Sequence, residues 1–149
     1  MKEQRRIVIS VDAIIYDKEG NVLLIKRNYE PFKYYFCLPG GIVEENELLH
    51  EAVTREVKEE TGIQISFTKK DYFTYFDDIN RDPRFRNITH VFVKQLPNLY
   101  KIKIGKYDNR EISEVHIFNL NSLPEKMGFD HGEILAEFKK FFFKFLMPI

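Results

Sequence analysis

Three carboxylates, Glu56, Glu59 and Glu60, follow Arg55 within five residues. On a helix Glu56 and Glu60 share a face, four residues apart, and Glu59 lies beside them, three from Glu56. Like charges at these spacings destabilise an isolated helix by roughly 0.2–0.5 kcal/mol per pair. A solvated face would interleave Lys with Glu. Negative charge concentrated on one side is instead what a hard divalent cation completes. Mg²⁺ takes oxygen ligands, keeps several waters, and is held by few carboxylates plus substrate phosphates.

The neighbouring residues supply the elements that must position this group. Leu48, Leu49, Ala52, Val53 and Val57 recur at three- and four-residue intervals, predicting a helix from Glu47 with Asn46 as N-cap and Gly62 as its left-handed stop. Upstream, a β-branched run over 7–16, a turn over 17–21 and a return over 22–25 predict a hairpin. Residues 26–33 read as a loop, and 34–38 as a short strand ending at Pro39-Gly40-Gly41. Downstream, strands are expected over 63–67, 72–76, 88–96 and 115–120, with a charged loop over 77–87. A closing helix is expected over 131–146, its apolar face built from Ile134, Leu135, Phe138, Phe141, Phe142 and Phe145. The pattern implies an α/β fold, a mixed sheet sandwiched between helices.

Bulk properties narrow the setting. The 149 residues suit a single domain spanning 1–149. With 44% hydrophobic and 31% charged residues the chain should be globular. Zero net charge gives no electrostatic case for nucleic acid or an anionic membrane as the main partner. Cys37 is the single cysteine, so no internal disulfide exists, and it reads as a buried thiol. No apolar leader precedes the first strand, and the apolar cluster at 141–147 is broken by Lys144 and too short to span a bilayer. A reducing cytoplasm is the expected compartment.

Gly41, Glu47, Arg55-Glu56, Val57, Glu59-Glu60, Gly62 and Ile63 match, position for position, Gly-x5-Glu-x7-Arg-Glu-U-x-Glu-Glu-x-Gly-U, where U is a bulky aliphatic residue. The chain thus resembles the Nudix hydrolase family, whose fold is a mixed sheet between helices. The resemblance implies hydrolysis of a nucleoside diphosphate linkage with Mg²⁺ or Mn²⁺. It implies Glu56 and Glu60 as metal ligands, Glu59 as ligand or base, and Gly40 as a backbone ligand. Arg55 would orient a glutamate, and Glu47 would support the metal shell. A later acid often serves as base, and Glu111 best fits that position, with Glu114 the alternative.

Three further stretches look like the ADP-ribose pyrophosphatase group, which also supplies the sensor half of an NAD-metabolism repressor. They are Lys26 through Lys33, Arg81-Asp82-Pro83-Arg84, and Phe129-Asp130-His131. The resemblance implies ADP-ribose as substrate, giving AMP and ribose 5-phosphate, and a possible homodimer. Arg81 and Arg84 could bind a diphosphate. His131, near a helix N-terminus, would stay neutral and could donate to phosphate or ribose. Phe32, Tyr34 and Tyr35 could stack on adenine or pack inside. His90 could sit at a pocket rim or serve as a strand residue. The pattern also departs from the group: position 79 is Ile where a proline is usual, and Pro83 falls four residues later. A MutT-like (deoxy)nucleoside triphosphate pyrophosphohydrolase and a non-catalytic nucleotide sensor therefore stay open. A repressor is not expected, since no DNA-binding domain follows.

Overall fold

The computed structural model describes residues 6–105 and 112–146. β1 (Ile7–Tyr16) lies at the centre of the sheet, and its apolar residues point both ways because strand side chains alternate. Val11, Ala13 and Ile15 pack on one face with Ala52, Val53 and Val57. Ile14 and Tyr16 pack on the other with Ile134, Leu135 and Phe138. One helix therefore covers each face, α1 (Leu49–Thr61) on the first and α2 (His131–Phe141) on the second. This is the expected α/β sandwich. Val53 and Val57 are fully buried, each contributing roughly 1.5–3 kcal/mol relative to exposure. Their burial sets the rotation of α1 about its axis.

β2 (Asn21–Arg27) returns antiparallel to β1 through a turn in which Asp17 Oδ1 accepts the Glu19 and Asn21 N–H groups. β3 (Phe36–Cys37) pairs with β2, and β4 (Gly40–Ile42) with β1. β5 (Tyr72–Phe76) pairs with β6 (Arg86–Gln95), and β7 (Ile112–Asn119) with β2. β6 alone among these strands runs parallel to its neighbour, meeting β1 from Ile7↔Arg86 to Tyr16↔Gln95. The backbone of the sheet reads β3-β2-β1-β6-β5.

Several expected elements shift. Residues 63–67 form no strand. Ile63 and Phe67 drop separately into the α1 core, and Thr54 Oγ1 accepts the Phe67 N–H at 3.0 Å, so no sheet partner is needed. The strand expected over 34–38 shrinks to Phe36–Cys37, because Tyr34 takes φ 69° and its N–H turns back to Arg27 O. α1 starts at Leu49, not Glu47. Leu48 is the N-cap and is 57% exposed rather than core, while the Glu51 carboxylate accepts its N–H at 2.8 Å. The closing α-helix ends at Phe141 and continues as one π turn, Phe142–Leu146. Gly62 ends α1 at φ 72°, and a Cβ there would stand 2.5 Å from Gly105. Cys37 is free and buried. Among the described residues no helix is long and apolar enough to cross a membrane.

Candidate active site

The rotation of α1 turns Glu56 and Glu60 toward β4. Glu60 is 4% exposed, and its Oε1 accepts the Gly40 N–H at 2.7 Å. The Glu56 carboxylate lies against Gly41, where a Cβ would stand 2.5 Å from it. A Cβ on Gly40 would meet the Val11 carbonyl oxygen at 2.1 Å and Asp12 Oδ1 at 2.4 Å. Both glycines are thus required by close approach, one to a side chain and one to the backbone of β1.

Arg55 gathers the other acids. Its Nε and Nη2 donate to Glu47 Oε2 and Oε1 at 2.9 and 2.6 Å, a bidentate fork. Its Nη1 donates to Glu56 Oε1 at 2.9 Å and to Glu59 Oε2 at 3.3 Å, and Nη2 also reaches Ile42 O at 3.3 Å. The bond from Arg55 is the main reason the Glu47 carboxyl is held below its ordinary pKa. Arg55 itself is pushed up, Glu47 being the largest cause. The guanidinium thus bonds the carboxylates of Glu47, Glu56 and Glu59 together.

The donors present suit a hard cation. Glu56 and Glu60 converge on the Gly40-Gly41 backbone, and the missing Cβ of Gly41 makes room for the Glu56 carboxylate above the strand. Glu59 is half exposed and bonds to Arg55. Among the described residues no group of three acidic, His or Cys side chains stands at metal-binding spacing.

Next to β4 lies a polar floor that sequence reasoning did not single out. Ser10 and Asp12 are buried and alternate with Val11 and Ala13 along β1, and Asn87 and Thr89 are buried alternate residues of β6. The parallel register brings both pairs to the same end of the sheet. Ser10 Oγ donates to Asn87 Oδ1 at 2.8 Å, Asn87 Nδ2 to Asp82 Oδ2 at 3.0 Å, and Thr89 Oγ1 to Asp12 Oδ2 at 2.6 Å. The available signal was polar residues at positions 10 and 12 of an otherwise apolar strand.

The downstream residues divide. Arg81 is buried, and its Nε and Nη2 fork onto Asp130 at 2.8 and 2.7 Å. Asp130 stands at the N-cap of α2 but makes no side-chain cap, because both its oxygens serve Arg81. Arg84 forks onto Asp82 at 3.1 and 2.9 Å and keeps a partly exposed guanidinium. Burial pushes the Asp82 carboxyl up, but bonds from Arg84 and Asn87 outweigh it and the pKa falls. Arg27 and Arg84 stand 5.0 and 5.6 Å from the Phe129 ring. Phe129 adopts φ 52°, an uncommon conformation for a side chain of this size.

His131 is 4% exposed, and its Nδ1 accepts the Leu38 N–H at 2.9 Å. Its Nε2 lies 3.5 Å from Asp12 Oδ2. Burial disfavours the imidazolium, while the charge and hydrogen bonding of Asp12, then Cys37, favour it and dominate in sum. The ring's own bonding decides otherwise. A nitrogen that accepts a backbone N–H carries no proton, so the ring is neutral with its proton on Nε2.

A cleft of about 780 Å³ joins these parts. Its wall includes Arg55, Glu56 and Glu60, the floor residues Asp12 and Asn87, and Arg27, Arg84 and Phe129. Arg81 and His131 also line it. Both were expected to offer donors to substrate. Arg81 commits Nε and Nη2 to Asp130, and both His131 nitrogens face protein atoms. Glu111 lies outside the described residues. Glu114 is exposed, bonded to His116 and paired with Lys26, and does not line the cleft. His90 is a strand residue bonded to the Tyr72 hydroxyl. Phe32 packs on Tyr35 and Phe129, and Tyr34 is exposed.

The NUDIX domain model matches residues 6–138. The chain belongs to the NUDIX family, and it is a Nudix pyrophosphohydrolase. An ADP-ribose pyrophosphatase from Methanocaldococcus jannaschii is 39% identical over 132 residues, covering 89% of this chain and 73% of that protein. A bifunctional NMN adenylyltransferase/ADP ribose pyrophosphatase from Francisella tularensis superposes with a TM-score of 0.74 at 28% identity, over 93% of this chain and 42% of that one. The NUDIX domain of a Shewanella oneidensis protein, NrtR, crystallised with ADP ribose, shares the fold with a TM-score of 0.78 at 20% identity, over 94% and 91%.

Proposed function

We propose that this chain hydrolyses ADP-ribose to AMP and ribose 5-phosphate with Mg²⁺ or Mn²⁺. The observation that carries the reading is the single cleft joining the Glu56–Glu60 pair to the partly exposed guanidinium of Arg84. The likeness to the Methanocaldococcus jannaschii pyrophosphatase supports the choice of substrate. Glu56 and Glu60, with Glu59 and Gly40, would hold the cation, which when bound neutralises phosphate oxygens and activates a water.

The protein's own groups have distinct tasks. Arg55 holds Glu47 and Glu56 in fixed orientations. Glu59, half exposed beside them, would serve as a ligand or take the water's proton. Glu111 is the alternative base. Arg84, held by Asp82 through two nitrogens, offers a charge-assisted bond to the diphosphate. Arg81 and His131 line the same cleft and would shape its substrate side, held by Asp130 and Leu38.

Incubation with Mg²⁺ and a panel of ADP-ribose, dinucleotides and dNTPs tests the proposal. AMP and ribose 5-phosphate should appear from ADP-ribose, stop on chelation, and return with Mg²⁺ or Mn²⁺. Pyrophosphate release from dNTPs with ADP-ribose untouched would refute the substrate and favour the MutT-like reading. Full activity after Glu59→Gln and Glu60→Gln together would refute the catalytic assignment and leave a sensor.

A further inference from the structure

The tripeptide Leu38-Pro39-Gly40 carries the chain into the cation site, and three elements hold it. From α2, His131 Nδ1 accepts the Leu38 N–H at 2.9 Å. From β1, the Ala13 N–H donates to Pro39 O at 2.8 Å. From α1, Glu60 Oε1 accepts the Gly40 N–H at 2.7 Å. The middle bond is backbone pairing, and the Glu60 bond belongs to a cation ligand. The His131 bond is neither, and it reaches across 93 residues.

Asp12 stands behind both ends of this brace. It is registered opposite Gly40, close enough that a Cβ on that residue would overlap its Oδ1. Its Oδ2 takes the Thr89 hydroxyl at 2.6 Å and faces His131 Nε2 at 3.5 Å. The ring is thus oriented on one side by a carboxylate and presents an acceptor on the other. A carboxylate against one ring nitrogen commonly fixes the tautomer and direction of a histidine. Here the histidine passes that orientation to a peptide of the cation site.

We propose that His131 is a positioning residue for the cation site, holding the Leu38 N–H so that the Gly40 peptide meets Glu60, with Asp12 fixing the ring. The inference rests on the reading that Gly40 and Glu60 belong to that site. Its chemistry is one hydrogen bond, so isosteric replacements can separate it from packing. Asn at 131 puts an amide oxygen where Nδ1 stands and keeps the acceptor for Leu38. Gln puts its amide nitrogen where Nε2 stands, keeping the contact to Asp12 and losing the acceptor.

The test is Mn²⁺ titration of the full chain without substrate, followed by electron paramagnetic resonance, on wild type, His131→Asn and His131→Gln. The Asn variant should bind Mn²⁺ within about threefold of wild type, and the Gln variant about tenfold or more weakly. In turnover the Gln variant should lower kcat about tenfold with KM within about threefold. Unchanged Mn²⁺ affinity in the Gln variant, or equal losses in both, overturns the inference and leaves His131 a packing residue. If the Gln variant does not fold, the Asn variant decides alone: near-wild-type affinity supports the proposal, and a tenfold loss overturns it. A wild type that binds no Mn²⁺ removes the functional reading and this inference with it, whereas binding with flat variants removes only the inference.

Discussion

The adjacent glycines Gly40 and Gly41 are expected to fail in different ways when each is replaced by alanine. A Cβ at Gly41 would stand 2.5 Å from the Glu56 carboxylate, the mobile end of a side chain. Ordinary contact begins near 3.4 Å, so the carboxylate must retreat by about 1 Å. A misplacement of about 1 Å in catalytic geometry can cost about 100-fold in rate. The fold should absorb the change, with Tm within about 2 °C of wild type. A Cβ at Gly40 would instead overlap the Val11 carbonyl and the Asp12 Cα, at 2.1 and 2.9 Å, and this is backbone of the central strand. Overpacking there should cost about 3 kcal/mol, or a Tm loss of about 6–12 °C for a chain of this length. The assay pairs thermal unfolding with AMP release from ADP-ribose at saturating Mg²⁺. Near-wild-type turnover by Gly41→Ala, or an equal Tm loss in both variants, would refute the reasoning.

Other perturbations separate the remaining roles. Arg55→Lys cannot reproduce the fork on Glu47, so kcat should fall about 100-fold, while stability changes by under about 1 kcal/mol because the pairs are partly exposed. Urea unfolding of Asp130→Asn should show a loss of about 3–5 kcal/mol, because Arg81 is left charged and buried; replacing both residues with Met and Leu should recover most of it, and no loss in the single variant would contradict the pairing. Glu60→Gln keeps an acceptor for the Gly40 N–H, so hydrogen exchange at that amide should stay slow while Mn²⁺ affinity drops about tenfold or more. Asp82 and Glu47 have folded pKa values below their unfolded ones. Their stabilisation is complete above about pH 5 and is lost progressively as pH falls below it. Arg84→Gln should therefore flatten the acid limb of a stability-against-pH curve, and an unchanged limb would count against the Asp82 assignment.

The motif over Gly41 to Ile63 was legible because its residues are local in sequence. A cation site needs oxygen donors on one helical face, and the glycines, Arg55 and the apolar spacing that position them fall within residues 41–63. The sandwich was legible in the order of strand-like and helix-like segments along the chain. The substrate side was less so, since its bonds join residues far apart: 49 for Arg81 to Asp130, 77 for Thr89 to Asp12, and 93 for Leu38 to His131. Residue type says that a guanidinium can bind a phosphate. It does not say that a carboxylate at position 130 has already claimed it. Ser10 and Asp12 carried a readable signal, because a buried acid in an apolar strand needs a partner. The strand expected over 63–67 failed for a different reason: its apolar residues found helix and core contacts, and no edge was offered to them.

The two helices lie on opposite faces of the sheet, and the cleft takes walls from both. The α1 layer carries Glu56, Glu59 and Glu60, the acids proposed for hydrolysis, and the α2 layer carries the loop held through Asp130 and the ring of Phe129. Such a molecule can drift in one trait while conserving the other. Segments 77–88 and 126–130 could be transplanted from a relative of different selectivity, and α1 would be untouched. The seam between the layers is the reach of His131 to Leu38, so a chimera that retains Asp12, Thr89 and His131 should inherit new selectivity with the old metal affinity.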